Sequence, residues 1–160
     1  MSSRIITLVL SLSFSQAALA DYSLFYEDNQ VDYYNWGARY DTQNLGSGQI
    51  FGWSAGVSVN IPTVVDKDYL TAFGHLRASL FPKRIVEPFA SVGIDLVEFG
   101  VLLLTDGDIS PQVDTQLSYG LRFNFGDNAI DVYHKEAHLT GYTITEGTYN
   151  AYGIALIISY

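Results

Sequence analysis

The chain has 160 residues, 48% of them apolar, with seventeen Asp and Glu against eight Lys and Arg and no cysteine. Its net charge of −9 excludes a nucleic-acid surface, which rewards clustered basic residues. The lack of cysteine excludes disulfides, so a small exported domain needs another source of stability.

Residues 1–20 read as a secretory signal peptide. The basic start "MSSR" precedes the apolar run "IITLVLSLSF", and Ala18-Leu19-Ala20 supplies a small-x-small cleavage pattern before Asp21. The run is short for a retained membrane helix, and serines interrupt it. No cysteine follows the cleavage point, so a lipid-anchored form is not expected. Removing Arg4 with the leader leaves seven basic and seventeen acidic residues, a net charge near −10. Residues 21–160 contain no linker and no internal repeat, and form one domain.

From Asp21 onward the pattern is alternation with period two, punctuated by turn residues. Eight segments are predicted as strands: 21–28, 31–42, 49–61, 68–81, 86–103, 112–125, 129–139 and 148–160. In the third, Phe51, Trp53, Ala55, Val57, Val59 and Ile61 share one face, and Gly52, Ser54, Gly56, Ser58 and Asn60 the other. The sixth repeats the scheme, with Val113, Leu117, Tyr119, Leu121, Phe123 and Phe125 against Asp114, Gln116, Ser118, Gly120, Arg122 and Asn124. Such lengths suit tilted strands crossing a bilayer, which need roughly 9–11 residues. The connections "FPKR" and "FGDN" are tight, whereas "LTDGDISPQ" and "HLTGYTITEG" are long, the asymmetry of periplasmic turns and external loops. "TQNLGSG" is long for a periplasmic turn.

The expected fold is therefore all-β: an eight-stranded antiparallel up-and-down transmembrane β-barrel. A soluble lipocalin-type barrel would carry charged residues outside and bulky apolar ones inside. Here the polar face of the third segment holds only Gly, Ser and Asn. The apolar faces carry Tyr34, Trp36, Tyr40, Trp53 and Phe125, as interfacial girdles do. The chain ends on Tyr160, preceded at alternate positions by Ile158, Leu156, Ile154 and Tyr152. This resembles the C-terminal signal that the outer-membrane assembly machinery reads in bacterial barrels, with Tyr in place of the usual Phe. The resemblance implies that machinery as a partner during biogenesis, outer-membrane lipids including lipopolysaccharide around the folded protein, and the outer membrane as location. A monomer is expected.

Parity turns Arg39, Arg77, Arg122, Asp95, Asp131, Tyr69, Phe73 and His75 inward. Counting from the "GDN" turn sets Arg122 beside Asp131, and counting across residues 104–112 sets Asp95 on its other side. An eight-stranded lumen is small enough for side chains to fill, and buried charges must be paired. An ion-pair plug is therefore expected, with His75 a satisfied interior residue and Lys135 an interior or rim charge.

The seventh segment, "DVYHKEAHL", changes character along its outward face. Ile130 and Val132 are followed by His134, Glu136 and His138, expected on the outer wall near the external rim. Alternate residues stand about 6.6 Å apart, so His134 and Glu136 are neighbours, while His134 and His138 are about 13 Å apart, too far to share a metal. No metal site or cofactor is expected.

The stretch "LSYGLRFNFGDNAIDVYHKEAH" resembles the corresponding part of the lipid A 3-O-deacylases, outer-membrane barrels of eight strands. Their site lies on the outer wall, where a His serves as base, a Ser two residues later as nucleophile, and a Glu near the last strand orients the His. The resemblance implies His134 as base and Glu146 as the orienting residue. Glu136 occupies the nucleophile's position, and "EAH" replaces the Ser-Asn-Ala element. Two readings follow: a non-enzymatic envelope or structural barrel, or a deacylase-like acyl hydrolase using His134, Glu136 and Glu146. The first reading predicts no serine in reach of His134.

Overall fold

The computed structural model describes residues 21–28, 33–42, 49–62, 69–82, 84–97, 112–139 and 147–159. The signal-peptide reading of residues 1–20, and Glu146, lie outside the described residues. Eight strands form a closed antiparallel barrel in sequence order: β1 Asp21–Asp28, β2 Tyr33–Asp41, β3 Phe51–Pro62, β4 Tyr69–Ser79, β5 Val86–Val97, β6 Gln112–Phe125, β7 Asn128–Leu139 and β8 Gly147–Ser159. Each agrees with its predicted segment within a few residues. For the fifth segment, β5 ends at Val97 and the expected stretch 98–103 lies outside the described residues.

β1 closes on β2 and on β8, so no edge is left open. One end of the barrel holds the tight connections. At β6–β7, Phe125 pairs with Asn128 around a two-residue loop in which Gly126 has φ 67°. A glycine in that first loop position matches the twist of an antiparallel hairpin. β4 ends at Ser79 and β5 begins at Val86, and in the connection Phe81 takes a positive φ of 56°. We call this the turn end; the other is the loop end.

The barrel is polar inside and apolar outside. On β1 the alternating buried set includes Asp21, Ser23, Phe25 and Glu27, while Leu24 is 64% exposed. The outward faces present Trp36, Trp53, Val57, Leu76, Val92, Leu117, Leu121, Ile154 and Leu156 in one continuous belt. A belt of this extent is far beyond the few hundred Å² of apolar patch normal on a water-soluble monomer. Aromatic side chains join across it. Tyr22, Tyr40 and Trp53 contact in sequence at centroid distances of 5.7 and 5.6 Å. Tyr26 lies 4.6 Å from Trp36 and 6.0 Å from Tyr34.

Inside, each large ring among the described side chains stands opposite a glycine. Phe25 pairs with Gly37, Phe73 with Gly56, His75 with Gly93, and Phe89 with Gly120. Tyr133 has a glycine on both sides, Gly120 and Gly153. A Cβ at Gly37, Gly56, Gly93 or Gly153 would run into the facing ring, and one at Gly120 into the backbone beside Tyr133. The missing side chains are thus the space the rings occupy, which is how a narrow lumen holds five of them. Replacing Gly153 by Val should displace Tyr133 and overpack the lumen, at a cost of about 1–3 kcal/mol. Urea unfolding of the variant beside wild type, both in detergent micelles or vesicles, measures this.

Candidate functional site

Two constellations bear chemistry: the charges in the lumen and a polar interruption on the outer wall. β7 organises both, because its inward residues are Asp131, Tyr133 and Lys135, while its outward residues are Val132, His134 and Glu136.

Asp131 is the centre of the inner cluster. Arg122 Nε donates to its Oδ1 at 2.8 Å. Its Oδ2 accepts from Arg77 Nη1 at 2.6 Å, Arg122 Nη2 at 3.2 Å and Arg39 Nη2 at 3.3 Å. Arg39 also reaches Asp41 at 3.0 Å, and Arg77 lies over the ring of Phe89 at 3.6 Å. Arg122 is 1% and Asp131 0% exposed, so each relies on these partners for its solvation.

Nearer the loop end lies a second cluster. Glu27 accepts from Tyr133 Oη at 2.8 Å, Asn35 Nδ2 at 2.8 Å and Lys135 Nζ at 2.9 Å. Lys135 is also 3.6 Å from Asp95. Asp95 accepts from Gln116 Nε2 at 2.5 Å and lies 3.3 Å from His75 Nε2, which Gln116 also touches. Phe25, Phe73 and Tyr133 pack together in the lumen beside both clusters, with Phe25 and Phe73 edge to face at 5.5 Å. The void flanked by Phe25, Arg39, Phe73, Tyr133 and Lys135 measures about 20 Å³, room for one water.

The inward parity of Arg39, Arg77, Arg122, Asp95, Asp131, Phe73, His75 and Lys135 agrees with the sequence expectation, and so does the Arg122–Asp131 pair. Tyr69's side chain lies outside the described residues. The second neighbour expected for Arg122 is corrected. Across β5 and β6, Arg122 faces Glu87, and Asp95 faces Asp114. Counting across residues 104–112 assumed that both strands run up to a short loop. The described ladder instead ends at the pair Val97–Gln112, which shifts the register by eight residues.

On the outer wall, the His134 ring lies between Tyr119 and Tyr152, at centroid distances of 5.3 and 4.9 Å. These tyrosines are its cross-strand partners on β6 and β8. Nε2 lies 3.7 Å from Glu136 Oε1, an ion-pair distance beyond hydrogen-bond reach, and Nδ1 is buried without a hydrogen-bond partner. The pair stands deeper in the wall than the sequence suggested. His134 is seventh of the twelve residues of β7, at mid-strand rather than at the external rim.

No serine among the described residues approaches His134 from the outer wall. Ser118, opposite Lys135, is buried in the lumen. Ser159 lies at the turn end, opposite Asp21. Besides the tyrosines that flank His134, an outward hydroxyl is carried by Thr115, two residues along β6 from Leu117, the partner of Glu136, and opposite His138. Parity marks Thr115 as outward, but only the β6–β7 register places it opposite His138 and diagonal to Glu136.

The fold is the eight-stranded up-and-down barrel of small outer-membrane proteins. Among solved structures, the N-terminal β-barrel domain of Pseudomonas aeruginosa OprF shares it at 8% identity and a TM-score of 0.58, over 87% of this chain and 96% of that one. Neisserial surface protein A, NspA, shares it at 6% identity and 0.59, over 88% and 94%. The outer membrane enzyme PagL shares it at 16% identity and 0.51, over 88% and 99%. At these identities the likeness is one of fold. No protein-family model matches the chain, and no curated protein does.

Because Asp131 serves three guanidinium groups, its removal leaves all three short of a partner. Asp131→Asn should destabilise the barrel by about 3–5 kcal/mol, the cost of leaving buried charge uncompensated. Arg122→Leu should cost a few kcal/mol. Urea unfolding in vesicles, followed by tryptophan fluorescence, orders the two.

Proposed function

We propose that this protein is exported to the outer membrane of a Gram-negative envelope and acts there as a non-conducting structural barrel. The observation that carries the reading is the inversion of the molecule: an apolar outer belt around a lumen plugged by paired charges. The charged clusters and the rings of Phe25, Phe73, Phe89 and Tyr133 line one void of about 20 Å³, room for a single water, which supports a filled rather than an open lumen. The terminal pattern ending in Tyr160 supports handling by the outer-membrane assembly machinery, and the leader-like residues 1–20 support export. The partners that follow are outer-membrane lipids, including lipopolysaccharide.

The alternative, acyl hydrolysis at the outer wall, is favoured by the His134–Glu136 pair and by the resemblance to lipid A 3-O-deacylases. Glu136 stands where that chemistry has its serine, and no serine among the described residues approaches His134 from the outer wall. Without one a His–Glu pair would have to activate water directly, and the 3.7 Å separation is not a hydrogen bond that orients the imidazole. The structural reading therefore stands first.

Purified protein should show heat-modifiable migration on gels and β-rich circular dichroism in detergent, and planar bilayers containing it should show no steady conductance. Solubility without detergent would contradict the reading. Incubated with lipid A in micelles, neither wild type nor His134→Ala should release a hydroxy fatty acid. Release by wild type, lost in the variant, would establish the hydrolase instead.

A further inference from the structure

The outer wall carries a groove of about 790 Å³ that crosses five strands. Its two sides are neighbouring hydrogen-bonded rows. One is Trp53, Leu76, Val92, Leu117 and Glu136, each the cross-strand partner of the next. The other is Ala55, Gly74, Ile94 and Thr115. The depression exists because Ala55 and Gly74 lack bulk where their neighbours have it. A Cβ built at Gly74 would meet only the carbonyl oxygen of Ser54, at 4.0 Å. Four interstrand spacings of about 4.8 Å give a run of roughly 19 Å, and two rows on one face stand about 6.6 Å apart. An α-helix with side chains is about 10–12 Å across and does not enter such a slot. A single hydrocarbon chain does.

The groove also has a polarity. It is apolar from Trp53 to Leu117 and ends at the carboxylate of Glu136 and the hydroxyl of Thr115. The rows climb towards the loop end as they pass from β1 to β7. Leu24, midway along β1, connects through Ala38, Val57, Ala72 and Leu96 to Val113, one residue from the loop-end terminus of β6. Glu136 is therefore the end nearer the external loops, and Trp53 the end nearer the turns. An amphiphile of the external leaflet has that same orientation, head towards the loops and tail towards the midplane. A carboxylate on a lipid-facing wall is costly unless something pairs with it. His134 Nε2, at 3.7 Å, is within ion-pair distance but makes no hydrogen bond to it, so a hydrogen-bond donor on the groove side still has a place.

We propose that this groove holds one acyl chain of a membrane lipid, lying diagonally across β3–β7. An O–H or N–H beside the head of the chain donates to Glu136. The proposal rests on the membrane placement given above. It assigns Gly74 and Ala55 as the residues that keep the groove open, and Glu136 as the residue that selects lipids with a donor next to the chain.

Native mass spectrometry of the folded barrel in mild detergent tests it, using ceramide and a phosphatidylcholine of matched chain length as probes. Ceramide carries an amide N–H and hydroxyls beside its chain; phosphatidylcholine has esters and no such donor. Wild type should retain one lipid per barrel and prefer ceramide on the order of tenfold, as one hydrogen bond to a charged acceptor allows. Glu136→Leu should bind both lipids alike. Gly74→Phe and Ala55→Phe should each lose bound lipid, while Leu156→Phe, on the wall but outside the groove, should keep it. Heat-modifiable migration shows that each variant is folded. A folded wild type carrying only detergent, or groove variants that retain lipid as wild type does, would overturn the proposal and leave the membrane reading intact. Equal binding of the two lipids by wild type would remove the role given to Glu136. Failure of the wild type to fold in detergent or bilayers would overturn the membrane reading itself.

Discussion

A spanning β-sheet must leave no backbone N–H or C=O unpaired in hydrocarbon, and only closure achieves this. Here β1 meets β8 over its whole length, from the pair Asp21–Ser159 to Asp28–Tyr152. The other features follow from that closure. With eight strands the ring is narrow, so its interior must be filled by side chains rather than by water. Alternation then sends every second residue into that interior, polar or not, and the interior must make those polar groups compatible with one another.

Two devices meet this demand. The first is sharing of partners. Asp131 serves three arginines, and Lys135 lies within ion-pair distance of both Glu27 and Asp95. In so small a lumen a charge without such partners would cost several kcal/mol. The second is the trading of volume between strands, each described lumen ring standing across from a glycine. The consequence on β7 is direct. Tyr133, held between Gly120 and Gly153, and Asp131, held by the arginines, lock that strand's inward face. The outward residues His134 and Glu136 therefore have defined positions on the wall.

The wall around those residues is uneven in chemistry. β3 is apolar outward from Phe51 to Ile61, whereas β7 turns polar at His134 and its neighbour β8 at Asn150, the partner of Glu136. The two tyrosines flanking His134 cover its ring and leave Glu136 as the more exposed member of the pair. A polar break at mid-strand, beside an apolar groove, distinguishes this wall from a uniform lipid-facing belt.

The sequence by itself determined the class of fold, the strand segments and the side each residue faces. Period-two alternation is a local property, written in every strand, and turn residues punctuate it. The Arg122–Asp131 pair was equally legible, because the two-residue turn at Gly126 leaves a single way to count. Partnerships across long connections were decided only by the tertiary structure. Asp95 was assigned to Arg122 and belongs instead to His75, Gln116 and Lys135. A loop of unknown path carries no register, and the slant of a closed barrel moves partners along the strand without changing their parity. For the same reason the groove was invisible in the sequence. Ala55, Gly74, Ile94 and Thr115 lie on four different strands, and only closure and register bring them into one row.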